Sequence, residues 1–172
     1  MRWLDVARKV VCAAGLCALP LLAQSAWQPE HRGIGFTAAS GKQSVELVSP
    51  AELETSSARP QGEQLRFAIN PGLHINSHVP KSSFLIPTRL TIDAPASVQV
   101  ASIEYPPGVD YHFAFAPEDA LSVYTGEFAV KVQLKAKPGH YVLHGQLHYQ
   151  ACDNRACNPP KTLPITLNLT AR

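Results

Sequence analysis

The sequence predicts an all-β domain, an immunoglobulin-like sandwich of about seven to nine antiparallel strands. Three observations support this fold class. Apolar residues recur with a period of two from Val45 onward, no segment of ten or more residues carries the apolar stripe of an amphipathic helix, and prolines and glycines separate the alternating runs. A domain of roughly 125 residues can also bury a sufficient core without covalent help.

The N-terminal segment has the features of a secretion signal. Three basic residues among the first nine precede an apolar run of about fourteen residues, which ends near the small-x-small sequence Ala23-Gln24-Ser25. The run is short for a membrane-spanning helix, which needs roughly 20 residues, and an uncleaved membrane anchor is the alternative. We therefore predict a signal peptide over residues 1–25, cleaved near Ser25, and export to the periplasm.

The rest of the chain is electrically neutral. The sequence has 15 Lys and Arg and 13 Asp and Glu, and the predicted signal holds three of the basic residues and one of the acidic residues. Residues 26–172 then carry equal numbers of charges of each sign. Because no basic patch remains, we predict no nucleic-acid partner and no binding to an anionic membrane.

The strands of the predicted sandwich begin after a lead-in. Residues 26–44 are rich in Gly, Ser, Pro and Gln without periodicity, which predicts a flexible segment ahead of a domain over residues 45–172. Five runs of apolar residues that share a parity indicate strands: Leu65, Phe67 and Ile69; Phe84, Ile86, Leu90 and Ile92; Phe128, Val130, Val132 and Leu134; Tyr141, Leu143, Leu147 and Tyr149; and Leu163, Ile165, Leu167 and Leu169.

Seven histidines raise the question of a metal site. His144 and His148 share one face of a predicted strand but lie about 13 Å apart, too far to hold one ion together. His74 and His78 have the same spacing in an irregular stretch. We therefore predict solvated histidines, no metal and no cofactor. A metal chaperone that uses His144 and the cysteines is a less favoured alternative.

Cys152 and Cys157 are the two cysteines outside the predicted signal, which contains Cys12 and Cys17. The four residues between the pair, Asp153-Asn154-Arg155-Ala156, have the composition of a tight turn. The pair is therefore predicted at the tip of a hairpin, close enough for a disulfide. Disulfides are stable in an exported protein, whereas the cytosol reduces them.

Such a disulfide can pin the hairpin or exchange with a partner. Closing a ring of about six residues stabilises a fold by roughly 2 kcal/mol, against nearly 5 for a ring of about 100 residues. It is thus a weak staple in a domain with its own core, whereas an exposed tip lets a partner thiolate reach the sulfurs. Arg155 would favour a thiolate there and Asp153 would oppose it. The redox role is favoured, and a non-catalytic binding module with an inert disulfide is the alternative.

The residues flanking the pair read Tyr149-Gln150-Ala151-Cys152 and Cys157-Asn158-Pro159-Pro160. They resemble the active-site hairpin of the N-terminal periplasmic domain of the thiol:disulfide interchange protein DsbD, whose loop is longer in the best-known members. The resemblance extends over nearly all of residues 45–169 and includes three upstream segments: Gly72-Leu73-His74-Ile75-Asn76, Phe84-Leu85-Ile86-Pro87-Thr88 and Leu121-Ser122-Val123-Tyr124-Thr125-Gly126-Glu127.

This resemblance implies an immunoglobulin-like fold and a function in thiol–disulfide exchange through a mixed disulfide. By motif position, Cys157 is expected to be the attacking thiolate and Cys152 the cysteine that resolves the mixed disulfide. The chain ends at Arg172 without the family's other domains. We therefore expect a monomer that takes electrons from a thioredoxin-like or membrane donor on a separate chain. The expected acceptors are periplasmic proteins that carry disulfides.

The resemblance also implies a cap loop over the sulfurs. Its acidic pair carries over to Glu118 and Asp119, which the resemblance implies tune access or proton transfer. Its shielding aromatic residue has no clean counterpart, because Ala120 follows the acids, so Phe115 or Phe113 is the candidate.

Two tyrosines are further candidates for the site. Tyr124 and Tyr149 lie on predicted strands that lead toward the cysteines, and either could support the sulfurs by packing beside them. Aromatic residues on strands belong more often to the core, which is the alternative for both.

Overall fold

The structure is a computed structural model that describes residues 42–113 and 116–172, without the side chains of residue 113 and of residues 116–119. In these ranges every regular element is a β-strand, which confirms the predicted all-β, immunoglobulin-like class. No helix there is long and apolar enough to cross a membrane. The predicted signal peptide and residues 26–41 of the lead-in lie outside the described residues.

The described residues form more strands than the seven to nine predicted. The additional strands have two to four residues, too few to reveal an alternation in sequence. The strands are β1 (Val45–Leu47), β2 (Glu52–Thr55), β3 (Gln61–Ile69), β4 (His74–Asn76), β5 (Arg89–Asp93), β6 (Val98–Glu104), β7 (Val109–Phe113), β8 (Ala116–Thr125), β9 (Glu127–Ala136), β10 (Gly139–Tyr149), β11 (Ala151–Cys152) and β12 (Lys161–Ala171).

The strands are arranged in three four-stranded sheets, with the orders β1-β3-β9-β6, β2-β12-β10-β5 and β11-β4-β8-β7. Their pairings are antiparallel apart from the parallel pair β2–β12. The longest pairing joins β10 to β12 in unbroken register from Gly139 opposite Ala171 to Tyr149 opposite Lys161. This ladder ends at Tyr149, three residues before Cys152, so the longest pairing of the domain leads directly into the cysteine hairpin.

One hydrophobic core joins side chains from all three sheets. The predicted alternation holds on β9, β10 and β12, where the apolar residues are inside and the intervening polar residues face solvent. Phe67 on β3 stacks on Phe128 of β9 with ring centroids 5.3 Å apart. Full burial of one large apolar side chain contributes roughly 1.5–3 kcal/mol, so this core stabilises the domain far more than one short disulfide ring does.

The predicted strand over residues 84–92 is wrong in its first half. The strand β5 begins at Arg89, and the Phe84 side chain is 95% exposed. Pro87 has no N–H to donate to a ladder. The carbonyl of Ile86 instead accepts a hydrogen bond from the side-chain amide of Asn76, at 3.0 Å. These residues therefore form a loop that is bonded to β4.

The last residues of the predicted lead-in are held against the domain. The Tyr149 hydroxyl donates to Gln43 Oε1 at 2.7 Å and accepts the backbone N–H of Ser44 at 3.1 Å. Lys161 Nζ donates to the carbonyl of Lys42 at 2.8 Å. Because the buried Tyr149 hydroxyl needs partners, the ordered domain begins before the first strand.

A tight turn determines where β4 starts. The carbonyl of Asn70 accepts the N–H of Leu73 at 3.1 Å, and Gly72 between them has a φ of 80°. This is the geometry of a type II turn, which favours Pro in its second position and requires a positive φ in its third, and glycine adopts that φ without strain. The chain thus reverses and enters β4 at His74.

Candidate functional site

The two cysteines form a disulfide across the tip of a hairpin, as predicted from their spacing. Cys152 ends β11 and pairs with Cys157 across an isolated antiparallel bridge, with Cα atoms 3.9 Å apart. The N–H of Asn158 donates to the carbonyl of Ala151 at 2.8 Å and closes the hairpin below the sulfurs. Local backbone pairing alone therefore brings the two thiols together.

Asp153 organises the turn between the cysteines. Its carboxylate accepts the backbone N–H groups of Arg155 at 2.7 Å and Ala156 at 2.8 Å, and its own N–H donates to the carbonyl of Ala156. These hydrogen bonds to backbone N–H hold the pKa of Asp153 below its usual range, with a smaller contribution from the Arg155 charge. The carboxylate thus stabilises the turn by accepting two of its backbone N–H groups.

The two sulfurs differ sharply in access. Cys152 is 1% exposed, whereas Cys157 and the turn residues that precede it face solvent. A partner thiol or disulfide can approach Cys157 directly, while Cys152 lies behind it in the protein. The disulfide therefore has one sulfur open to attack and one that is enclosed.

The neighbouring strand places a histidine beside the enclosed cysteine. The strand β4 lies between β11 and β8, with His74 directly opposite Cys152 on one side and opposite Thr125 on the other. Direct cross-strand partners project to the same face of a sheet, with Cβ atoms about 4.5–5.5 Å apart. Cys152, His74 and Thr125 therefore form a row on one face.

Tyr111 packs on the histidine of this row. Its ring contacts the His74 ring with centroids 4.2 Å apart, and its hydroxyl donates to Asn154 Oδ1 in the cysteine turn. Register puts Tyr111 on the same face as this row, because Tyr111 on β7 is opposite Leu121 of β8, which shares a face with Thr125. An aromatic residue that bridges β4 and the hairpin was not predicted from the sequence.

The histidine prediction is correct for one pair and wrong for part of the other. His144 and His148 are exposed on the outer face of β10. His74, predicted to be solvated, is 2% exposed, because the strand β4 is covered on the side of Tyr111 and the hairpin. Within the described part of the chain, no three His, Cys, Asp or Glu side chains are grouped so that they could hold a metal ion.

Burial also changes the acid–base behaviour of His74. Loss of hydration disfavours the charged imidazolium and lowers the pKa of His74, and the negative charge of Asp153 opposes this shift. The imidazole is therefore neutral near pH 7, with one ring nitrogen able to accept a proton.

The other residues predicted for the site are not shown beside the cysteines. Tyr124 and Tyr149 are both in the hydrophobic core, where the Tyr124 ring stacks on Phe128. The backbone of Glu118 and Asp119 belongs to β8, and their side chains lie outside the described residues, as does Phe115. A cap over the sulfurs and the supporting roles of the two tyrosines stay predictions.

Asp153→Asn is expected to remove an acid-sensitive part of the stability, since the amide keeps an oxygen acceptor without the charge. The folded pKa of Asp153 is depressed. Its contribution is therefore fully present above the unfolded pKa of about 3.9 and is lost as the pH falls through the lower folded value. The stability difference between wild type and variant should shrink over that interval. An NMR titration of the Asp153 carboxyl in the wild type measures the folded pKa. A midpoint at or above about 3.9 would contradict this prediction.

Sequence comparison matches residues 44–169 to the family model of the N-terminal part of the thiol:disulfide interchange protein DsbD. No curated protein matches the chain in a sequence search. Similar solved structures include the reduced N-terminal domain of DsbD from Neisseria meningitidis, which is 18% identical, with a TM-score of 0.43 over 62% of this chain and 76% of that chain.

Two further solved structures are similar at the same low identity. A complex of the DsbD and PilB N-terminal domains from Neisseria meningitidis is 18% identical, with a TM-score of 0.41 over 61% of this chain and 73% of that chain. The N-terminal periplasmic domain of ScsB from Proteus mirabilis is also 18% identical, with a TM-score of 0.47 over 68% of this chain and 43% of that chain.

Proposed function

This chain belongs to the family of the N-terminal domain of the thiol:disulfide interchange protein DsbD, and on that premise we propose that it passes reducing equivalents between proteins through Cys152 and Cys157. The observation that carries the proposal is the unequal access of the two sulfurs, with Cys157 exposed and Cys152 1% exposed. A purely structural disulfide does not require an exposed cysteine, whereas thiol–disulfide exchange requires one that a partner can reach.

The proposed reaction has two steps. In the reduced domain, the Cys157 thiolate attacks a disulfide sulfur of the acceptor, and the acceptor's second sulfur leaves as a thiolate. Cys152 then attacks Cys157 Sγ, which forms the Cys152–Cys157 disulfide and releases the acceptor as a dithiol. Two electrons pass from the domain to the acceptor. A donor dithiol that attacks Cys157 restores the reduced domain by the same steps in reverse.

The location and partners are part of the proposal. We place the domain in the periplasm, with residues 1–25 as its export signal. Its electron donor would be a thioredoxin-like or membrane protein, and its acceptors would be periplasmic proteins with disulfides. Glu118, Asp119 and Phe115 are the proposed cap residues that control access to Cys157.

The reduction potential separates this function from an inert disulfide in a binding module. The full chain, with Cys12 and Cys17 changed to Ser, is equilibrated in glutathione or dithiothreitol buffers of known potential, and the free thiols are labelled and counted. We expect a potential of about −200 to −250 mV, in the range of exchange proteins. A value below about −300 mV is typical of structural disulfides and would overturn the proposed function.

A further inference from the structure

A buried cysteine thiol needs a proton acceptor before it can attack a disulfide. Cys152 is 1% exposed, and burial in weakly polar surroundings disfavours its thiolate. The thiolate is nevertheless the species that attacks a disulfide. Because Cys152 has little contact with bulk water, a group inside the protein has to take the thiol proton when Cys152 reacts.

The register of the sheet β11-β4-β8-β7 places one such group next to Cys152. His74 is the direct antiparallel partner of Cys152 and is itself 2% exposed, so both side chains project to the same face behind the hairpin. The Tyr111 ring packs on His74 and is bonded to Asn154 of the turn. Imidazole and thiol thus project from neighbouring positions on one face of the sheet, and Tyr111 packs on the imidazole.

The charges around His74 suit a proton acceptor. It faces Cys152 on β11, Thr125 on β8 and the Tyr111 ring from β7, and the acidic group that acts on it is Asp153. Burial keeps the imidazole neutral near pH 7. Once the imidazole is protonated, the negative charge of the Asp153 carboxylate stabilises the imidazolium and so opposes the effect of burial on the pKa of His74.

We propose that His74 accepts the thiol proton of Cys152 when Cys152 resolves the mixed disulfide on Cys157. This inference rests on the proposed function. The S–H bond of Cys152 breaks as its proton moves to His74, and the resulting thiolate forms a bond to Cys157 Sγ. The bond between Cys157 and the partner sulfur breaks, and the partner leaves as a thiolate. When a donor later reduces the domain, His74 returns the proton to Cys152 as it leaves.

The test isolates the resolving step. The full chain, with Cys12 and Cys17 changed to Ser, is reduced and treated in acid with 2,2′-dithiodipyridine, which places a thiopyridyl group on the exposed Cys157. A jump to higher pH in a stopped-flow instrument then lets Cys152 displace thiopyridone, and its absorbance gives the rate. This readout follows Cys152 alone and needs no protein partner.

In the wild type, the rate of displacement should depend on pH as the deprotonation of His74 does. Without His74, the rate should depend on pH as the deprotonation of the Cys152 thiol does. We expect the wild-type rate to level off above a midpoint below about 6.5, the ordinary pKa of histidine. With His74→Phe, which keeps a ring against Tyr111, the rate should keep rising with pH to at least about 8.5, the ordinary pKa of a thiol, because burial disfavours the thiolate. Near pH 7 the variant should then be at least about thirtyfold slower than wild type.

Controls separate proton transfer from packing. His148→Phe removes an exposed histidine on β10 and should leave the profile unchanged. His74→Gln keeps a polar side chain without a titrating group and should behave as His74→Phe does. Coincident profiles for wild type and folded His74 variants would overturn the inference. If neither variant folds, a wild-type rate that keeps rising up to about pH 8.5 would overturn it as well.

The two proposals fail separately. A potential below about −300 mV would remove the exchange function, even if the pH profile shows that His74 serves Cys152. A potential in the exchange range with a wild-type profile that follows an ordinary thiol would remove the role of His74 and leave the exchange function in place.

Discussion

Cys157→Ser is expected to abolish thiol–disulfide exchange, whereas Cys152→Ser is expected to stop it one step later. Cys157 is exposed and Cys152 is enclosed, so a partner sulfur meets Cys157 first. Without Cys157 no attack takes place. Without Cys152 the attack succeeds, but no thiol is available to resolve the mixed disulfide, which accumulates.

The measurement is covalent trapping. Each reduced variant is mixed with an oxidised thioredoxin-like protein, and the products are separated on a non-reducing gel and weighed by mass spectrometry. We expect a mixed disulfide through Cys157 in the Cys152→Ser variant and none in the Cys157→Ser variant. Cys12→Ser is the matched control and should exchange at the wild-type rate. Trapping through Cys152 alone would reverse the proposed roles.

The second large effect is on stability. Tyr149→Ala is expected to lower the free energy of unfolding by about 3–5 kcal/mol, as for other large core residues. Tyr149 is fully buried, and its hydroxyl bonds Gln43 and the backbone of Ser44. Tyr149→Phe keeps the ring but leaves the Ser44 N–H without this acceptor, which should cost about 1–2 kcal/mol. Urea unfolding with a common m-value measures both effects.

Tyr141 offers a matched control on the same strand. Its hydroxyl donates to the carbonyl of Lys137 at an exposed position, and its ring is partly buried. Tyr141→Phe should therefore change the free energy of unfolding by no more than about 0.5 kcal/mol. A Tyr149→Ala variant within about 1 kcal/mol of wild type would contradict the packing described for this core.

The long strands could be predicted because a strand with one buried face repeats every two residues. On β9, Phe128, Val130 and Val132 are buried and alternate with more exposed residues, as their sequence pattern indicates. The same pattern failed at Phe84, whose parity continues that of Leu90 although its side chain is 95% exposed. Parity shows which residues could share a face, but the hydrogen-bond partners that the fold supplies, here the side chain of Asn76, decide whether a strand exists.

The cysteine pair could be predicted because its geometry is local. Four turn residues and one isolated antiparallel bridge bring Cys152 and Cys157 together over a few neighbouring residues. His74 and Tyr111 could not be assigned to the site in this way. They lie 78 and 41 residues before Cys152 along the sequence, and nothing in the spacing along the chain connects them with it.

The sequence by itself determined two features that depend on residues close together in the chain. The alternation of apolar residues determined the all-β class, and one turn with its flanking motif determined the cysteine pair. The tertiary structure decided the long-range relations. It decided which cysteine is open to solvent, that His74 is buried opposite Cys152, and that Tyr111 packs on His74. The physical reason is that strand register joins residues far apart in the chain, and burial, which sets access and the pKa of His74, arises only when the sheets have paired and packed.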